Sequence, residues 1–376
     1  MNDMDFRRKT LAGVKRLVVK IGSGVLTHHS EIIDLAIIES IASDLSAIMD
    51  DGGEIIIVTS GAVAAGLRKL GIKGRPNGIP EKQAAAAAGQ STLIRYYENA
   101  FEKSGKRVAQ ILLTGDALSN RKRYLNARNT IFTLLEYGAV PIINENDSVS
   151  VDEIKFGDND NLSAMVAGLS DADLLIILTD TEGLFDMDPR KFPGASLIHT
   201  VRDFDAQTKG ASKGSSETGT GGMITKIEAA RKASTFGVPT IIASGERKGI
   251  ILDVMKGLEL GTFFIPNDDY IKGKKKWIAC NLKPTGTIFV DSGARAALKR
   301  GSSLLPSGVT RISGNFSFGD LVEIFEEGKE RFACGLVQFD SCDLEKIRGL
   351  NTSEIEKSLG KKEYEEVVHR DDMVFS

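Results

Sequence analysis

Between Asn144 and Asn161 the chain carries six carboxylates (Glu145, Asp147, Asp152, Glu153, Asp158 and Asp160) and four asparagines, against a single lysine. So acidic a stretch has to hold something positive, whether a metal, an ammonium group or only water. The segment DNDNLSA (158–164) lacks the glycine that an EF-hand loop requires among its alternating acids, so calcium is disfavoured. Asn and Asp together can accept hydrogen bonds from an ammonium, while the amides also donate to a carboxylate. That mixture suits a zwitterion such as an amino acid. Asn and Asp are also ordinary turn residues, but two such turns close in sequence, NEND (144–147) and GDNDN (157–161), ask for more than turn chemistry.

Three other segments have the composition of anion sites. In KIGSGVLT (20–27) a lysine ends an apolar run, and Gly22 and Gly24 flank Ser23. Such glycines let backbone N–H groups approach a phosphate, and Lys20 adds a point charge. The spacing is neither a P-loop nor a GxGxxG fingerprint, and alone it is weak. TSGAVAAG (59–66) puts Ser60 and Gly61 at the join of a strand and a helix. Free N–H groups there could bind an anion, or Ser60 could simply cap the helix. GTGGMITK (219–226) places three glycines in four positions ahead of a helical pattern carrying Lys226. Lys20 and Lys226 together could neutralise the charge that moves in phosphoryl transfer, an effect typically worth ~10²–10³ in rate for each group. TDTEGLFDMDPR (179–190) combines Asp, Gly and Pro and reads equally well as a surface loop. The four histidines show no metal spacing, and no nucleophile elbow or Cys–His signature is present.

These segments need a frame that brings them together. Six apolar runs supply it: 16–22, 54–60, 107–115, 139–147, 174–180 and 238–245. Most are continuous rather than alternating, as in strands buried on both faces of a parallel sheet. Helical patterns lie between them, clearest at 34–53 and 81–105, and both close on glycine. Strand alternating with helix predicts a three-layer α/β/α sandwich with a mainly parallel central sheet. Ligands in such folds sit at the carboxyl ends of strands, where KIGSG, TSGA, NEND, TDTEG and ASGE all fall. The alanines at 84–88 read as a close-packed helix face. Near residue 265 the character changes. Residues 266–284, with the run KGKKK, read as a solvated linker. Beyond them, short alternating segments between glycine turns predict a small β-rich domain over 285–376. The domain reading is therefore 1–265, a linker over 266–284, and 285–376.

Bulk properties set limits. The chain has 376 residues, 41% apolar and 26% charged, with a net charge of −3, the balance of an ordinary globular protein without a polyanion partner. No apolar run reaches the length of about 18 residues expected of a membrane span, and the N-terminal segment lacks the apolar core of a secretory signal. Three cysteines without CxxC spacing fit free thiols in a cytoplasmic protein.

Taken in order, VVKIGSGVLT, VTSGAVAAG, KQAAAAAGQ, PIINENDSV, EIKFGDNDNLSA, TDTEGLF and TGTGGMITK resemble the amino acid kinase family, and within it the members that phosphorylate L-glutamate. The tail from VDSGARAALKRG onward resembles a PUA domain. The resemblance implies transfer of a phosphoryl group from ATP, with Mg²⁺ carried mainly on phosphates and waters, to the side-chain carboxylate of L-glutamate, as the first step of proline synthesis. Lys20 and Lys226 would bracket the transferred group, with Asp160 orienting them. Ser60, Gly61, Asp147 and Asn159 would hold the amino acid, supported by Asn144 and Asp158. Nucleotide would meet Lys20, Gly22, Ser23, Gly24, Thr179, Asp180 and the run Thr220, Gly221, Gly222, Met223, Ile224, Thr225 and Lys226. The family also implies feedback inhibition by proline, for which Glu153 is the candidate residue. It implies a homotetramer or homodimer, and handover of a reactive product to a glutamyl-phosphate reductase. Gly24 stands where many members carry a hydroxyl residue, so phosphate contact there would come from backbone. Aspartate, acetylglutamate and UMP kinases are the nearest rivals; KIGSG rather than KFGG, with a PUA-like tail, disfavours the aspartate enzymes. RNA binding is disfavoured because residues 285–376 hold 12 basic against 16 acidic side chains.

Overall fold

The computed structural model describes residues 2–27, 32–74, 76–115, 118, 121–149, 158–208, 222–266, 284–360 and 364–375. The chain divides into two compact units, one of Met1–Asn120 with Asn126–Ile271, the other of Lys272–Ser376 with Arg121–Leu125.

In the first unit the elements run α1 (Asp3–Ala12), β1 (Arg16–Ile21), α2 (Ser23–Thr27), α3 (Leu35–Asp50), β2 (Glu54–Thr59), α4 (Ala62–Leu70), α5 (Ile79–Glu102) and β3 (Arg107–Leu113). They continue with α6 (Arg121–Glu136), of which Arg121–Leu125 group with the second unit, then β4 (Ala139–Glu145), α7 (Asp158–Leu169), β5 (Leu174–Thr179), β6 (Thr200–Val201), α8 (Phe204–Gln207), α9 (Met223–Thr235), β7 (Thr240–Ser244), α10 (Ile250–Met255) and β8 (Thr262–Phe264). Eight strands form one sheet in the order β3-β4-β2-β1-β5-β7-β8-β6, with every neighbouring pair parallel except β7 and β8. All six apolar runs became strands. The continuous hydrophobicity of β1, β2, β4 and β5 has its cause in position, because these inner strands are buried almost throughout while edge strand β3 is half exposed. β6 and β8 carry no long apolar run and are not predicted by the sequence pattern; they close the sheet beyond β7.

Alternation within β1 sorts its residues between two layers. Leu17, Val19 and Ile21 join a core with α3, α5 and α10. Lys20 projects to the other face, where α7 packs on β1 and α9 packs on α7. Asp34 caps α3 by accepting the Ala36 N–H at 2.8 Å. Helices α4 and α5 meet backbone to backbone. A Cβ on Gly66 would lie 1.6 Å from the Ala85 carbonyl oxygen, and one on Gly89 1.8 Å from that of Ala62. The alanine run is indeed a packing face at Ala85 and Ala86, which are buried, while Ala84 and Ala87 face outward.

The second unit contains β9 (Gly286–Val290), α11 (Ser292–Lys299), β10 (Val309–Gly314), β11 (Leu321–Glu326), β12 (Arg331–Val337), α12 (Ser341–Ile347), α13 (Ile355–Leu359) and β13 (Val368–Phe375), with sheet order β10-β9-β11-β12-β13. It has its own core, from Ile288 to Met373. The segment 331–339 departs from the expected alternation. β12 is buried from Phe332 to Val337 because Ala333 and Val337 face that core while Cys334 and Leu336 pack with Leu321 on the opposite side.

Candidate active site

The carboxyl ends of four neighbouring strands are tied together. Gly22 N–H donates to the Leu178 carbonyl at 3.2 Å, Ser60 N–H to Ile21 at 3.2 Å, and Gly245 N–H to Thr179 at 2.8 Å. The glycine- and hydroxyl-rich segments after β1, β2, β5 and β7 are therefore neighbours in space, as the sequence pattern requires.

At their centre stands Asp160, on the first turn of α7 and 1% exposed. Its Oδ1 lies 2.5 Å from Lys20 Nζ and its Oδ2 3.4 Å from Lys226 Nζ. The Thr225 hydroxyl donates to Oδ2 at 2.7 Å. Lys20 and Lys226 are each 5% exposed, although they come from β1 and α9, some two hundred residues apart. Burial pushes the Asp160 carboxyl upward, but the charges of Lys20 and Lys226 outweigh it and hold the group below its ordinary value. Burial lowers the Lys226 ammonium, opposed by Asp160 and Asp180 and reinforced by Lys20. Two buried ammonium groups held by one carboxylate are a preorganised setting for an anion with developing charge. Gly22 keeps this place open, since a Cβ there would sit 3.6 Å from Lys20 Nζ and 3.3 Å from the Leu178 carbonyl.

A second group of polar side chains assembles from β2, β4 and α7. Asn159 Nδ2 donates to Ser60 Oγ and to Asn144 Oδ1, both at 3.1 Å, and Asn144 Oδ1 also accepts the Glu145 N–H at 2.9 Å. Ser60 is thus not the helix cap; Gly61 occupies that position with φ +103°, and the serine side chain is engaged by Asn159 instead. Asp147 follows β4 and is half-buried. Asp158 opens α7, and its side chain lies outside the described residues, as do Glu153, Thr220 and Gly221.

The remaining candidates lie along the rim. Thr179 is buried at the end of β5 and donates to Asp180 Oδ1 at 2.9 Å. Gly222 caps α9, which carries Met223, Ile224 and Thr225, all half-buried, ahead of Lys226. Ser23 and Gly24 depart from the expected open glycine turn. They lie inside the short helix α2, where the Ser23 carbonyl accepts the Thr27 hydroxyl at 3.0 Å. Gly22 alone makes the turn. The TDTEGLF segment is only partly a surface loop, since Leu184 is fully buried and its N–H donates to Thr262 Oγ1 at 2.8 Å.

Sequence reasoning missed further polar contacts made by α5. Gln90 Nε2 reaches the Glu145 carbonyl at 3.4 Å and Gln110 Nε2 donates to Gln90 Oε1 at 3.0 Å, while Tyr97 and Thr59 share a hydroxyl contact of 2.7 Å. Gln90 and Tyr97 are seven apart on α5, one face of a helix; Gln90 also closes the KQAAAAAGQ motif, whereas that spacing is the only signal Tyr97 gives. Among the described residues no three His, Cys, Asp or Glu side chains converge as a metal cage, and no helix there is long and apolar enough to cross a membrane.

Comparison with known proteins gives this geometry its context. Residues 286–359 match the PUA domain. Glutamate 5-kinase of Geobacter sulfurreducens (strain ATCC 51573 / DSM 12127 / PCA) is 49% identical over 370 residues, 98% of this chain and 99% of the relative. Glutamate 5-kinase of Geobacter metallireducens (strain ATCC 53774 / DSM 7210 / GS-15) is 50% identical over the same shares of each chain. That of Syntrophotalea carbinolica (strain DSM 2380 / NBRC 103641 / GraBd1) is 50% identical over 372 residues. Residues 15–244, which contain every strand end of the site, match the amino acid kinase family, and with full-length relatives at this identity the chain belongs to that family.

Proposed function

We propose that this protein transfers the terminal phosphoryl group of ATP to the side-chain carboxylate of L-glutamate, giving L-glutamyl 5-phosphate for proline synthesis. The observation that carries the reading is the Lys20–Asp160–Lys226 arrangement, found in a chain about half identical to glutamate 5-kinases along nearly its whole length. A carboxylate is already nucleophilic, so the reaction needs no general base; positioning and charge neutralisation supply the rate. A glutamate side-chain oxygen attacks the terminal phosphorus, the bond to the bridging oxygen breaks, and ADP departs. Lys20 and Lys226 face the phosphoryl oxygens as charge spreads onto them, and Asp160 holds both ammonium groups.

Ser60, Gly61, Asn144, Asp147, Asp158 and Asn159 form the glutamate site in this reading, their amides, hydroxyl and carboxylates matching a zwitterion. Nucleotide lies along Gly22, Ser23, Gly24, Thr179, Asp180 and the 220–226 segment. The described residues do not build a Mg²⁺ site of their own: both Asp160 oxygens face cations. We assign the ion to the nucleotide phosphates and water, as Mg²⁺ prefers. We further propose cytoplasmic location, a homotetramer or homodimer, inhibition by proline through Glu153, and a glutamyl-phosphate reductase as recipient of the acyl phosphate. The boundaries 1–265, 266–284 and 285–376 remain our domain assignment.

The test is ATP- and Mg²⁺-dependent hydroxamate formation with hydroxylamine as trap, comparing L-glutamate, L-aspartate and N-acetylglutamate, with and without proline. Product from glutamate alone is expected, reduced by proline. Product from another acid would keep the phosphate site and overturn the roles of Asp147 and Asn159. Proline sensitivity that survives Glu153→Ala unchanged would remove that residue from regulation.

A further inference from the structure

Beneath the Ser60–Gly61 turn lies a pair of hydroxyls that the reaction as described does not use. Tyr97, on α5, is wholly buried, and its hydroxyl lies 2.7 Å from Thr59 Oγ1, the last residue of β2. Thr59 is 1% exposed and its hydroxyl donates to the Ser60 carbonyl at 3.1 Å. Each hydroxyl has one proton. Thr59 spends its proton on Ser60, so the Tyr97 proton must point to Thr59 Oγ1, and both buried groups are satisfied only in that direction. Burial pushes the Tyr97 hydroxyl far above its ordinary value, so the proton stays on the phenol.

We infer that Tyr97 and Thr59 are positioning residues for the acceptor amino acid, acting through the Ser60–Gly61 peptide as a directed relay, Tyr97 O–H to Thr59 Oγ1–H to Ser60 C=O. The consequence follows from peptide planarity. In a trans peptide the C=O and the next N–H point in opposite directions. Fixing the Ser60 carbonyl on the buried hydroxyls turns the Gly61 N–H away from them, and no acceptor for that N–H is found among the described residues. The same serine presents its Oγ to Asn159. One anchored plane therefore sets both a free donor for a substrate carboxylate oxygen and the side chain beside it. Gly61 tolerates this plane because its φ of +103° suits glycine, and a Cβ there would also crowd Leu26 at 3.3 Å. The helix supplying Tyr97 is held in place by the Gly66 and Gly89 backbone contacts, so the relay rests on a rigid support.

The kinetic part of this inference rests on the glutamate-kinase reading; its structural part does not. Three full-length variants decide it: Thr59→Val, Thr59→Ser and Tyr97→Phe, each read by hydroxamate kinetics and by the ¹⁵N–¹H resonance of Gly61. Loss of one oriented hydrogen bond predicts a rise of about tenfold in the KM for glutamate with Thr59→Val, and a smaller rise with Tyr97→Phe. The KM for ATP should stay within about twofold, since a local change in one donor leaves distant contacts unaltered. Thr59→Ser keeps the hydroxyl and should restore both the KM and the Gly61 resonance. An unmoved Gly61 resonance and unchanged glutamate KM in Thr59→Val or Tyr97→Phe would overturn the relay; so would Thr59→Ser behaving like Thr59→Val. Should Thr59→Val fail to fold, Tyr97→Phe, which removes one oxygen, decides alone. If the unaltered protein phosphorylates no amino acid, the functional reading fails while the Gly61 resonance still tests the relay.

Discussion

Asp160 answers the question posed by the acidic stretch: its charge is spent on two lysines of the protein's own. Its folded-state pKa lies below the ordinary carboxylate value, so its contribution to stability is full above the unfolded value of 3.8 and is lost as pH falls through the lower folded value. Asp160→Asn should therefore be less stable than the parent at neutral pH, with the gap closing as the pH is lowered beneath that range, as followed by urea unfolding at several pH values. The same variant should lose ~10²–10³ in kcat, the usual cost of dismantling preorganised charge. Lys226 carries a second signature. Its ammonium is lowered from 10.5, so the alkaline limb of the pH profile for kcat/KM with ATP should fall below that value. Removing the Asp160 charge takes away what opposes the lowering, and the limb should move to still lower pH. A limb unchanged in Asp160→Asn would show that Lys226 does not set it.

At the scale of elements, the site depends on how closely α4 and α5 approach. α5 is the support for both Gln90 under β4 and Tyr97 under β2, and its seat is the pair Gly66 and Gly89. Gly89→Ala drives a methyl against the Ala62 carbonyl and the Gly66 N–H, both backbone atoms that cannot swing aside. A loss of about 1–3 kcal/mol or more is expected from such overpacking, measured by denaturant unfolding, together with a raised glutamate KM. Gly194→Ala, which meets nothing within 4 Å, is the control and should be close to neutral. Equal stability of the two variants would mean that the helices separate freely and that the close approach is not needed.

For the molecule as a whole, the relevant fact is that, among the described residues, each unit has a hydrophobic core of its own, one around the eight-stranded sheet and one from Ile288 to Met373. A fragment of residues 284–376 should fold alone and melt cooperatively, as circular dichroism would report; a non-cooperative melt would show that the second core is insufficient by itself. The acidic balance of this segment, 12 basic to 16 acidic side chains, predicts no tRNA shift by the intact protein at either of two salt concentrations. A salt-sensitive shift would reopen RNA binding.

The pattern of residues alone determined the sheet and the ends where chemistry gathers. Continuous apolar runs are a local consequence of burial on both faces, and glycines with hydroxyls after each run mark where backbone must stay open. The family was legible for the same reason, since its motifs are these strand ends. Residue types and spacing did not decide the pairings that depend on distance in space; only the family resemblance joined Asp160 to Lys20 and Lys226. Lys20, Asp160 and Lys226 became one cluster only because parallel order sets α7 and α9 on the face to which Lys20 projects. Ser60 reads locally as a cap, yet Asn159, 99 residues away, engages its hydroxyl. Tyr97 reads as one more apolar position on a long helix, and only the α4–α5 approach places its hydroxyl beneath the Ser60 turn. Strands β6, β8 and β13 are short or polar, and tertiary pairing rather than periodicity made them strands.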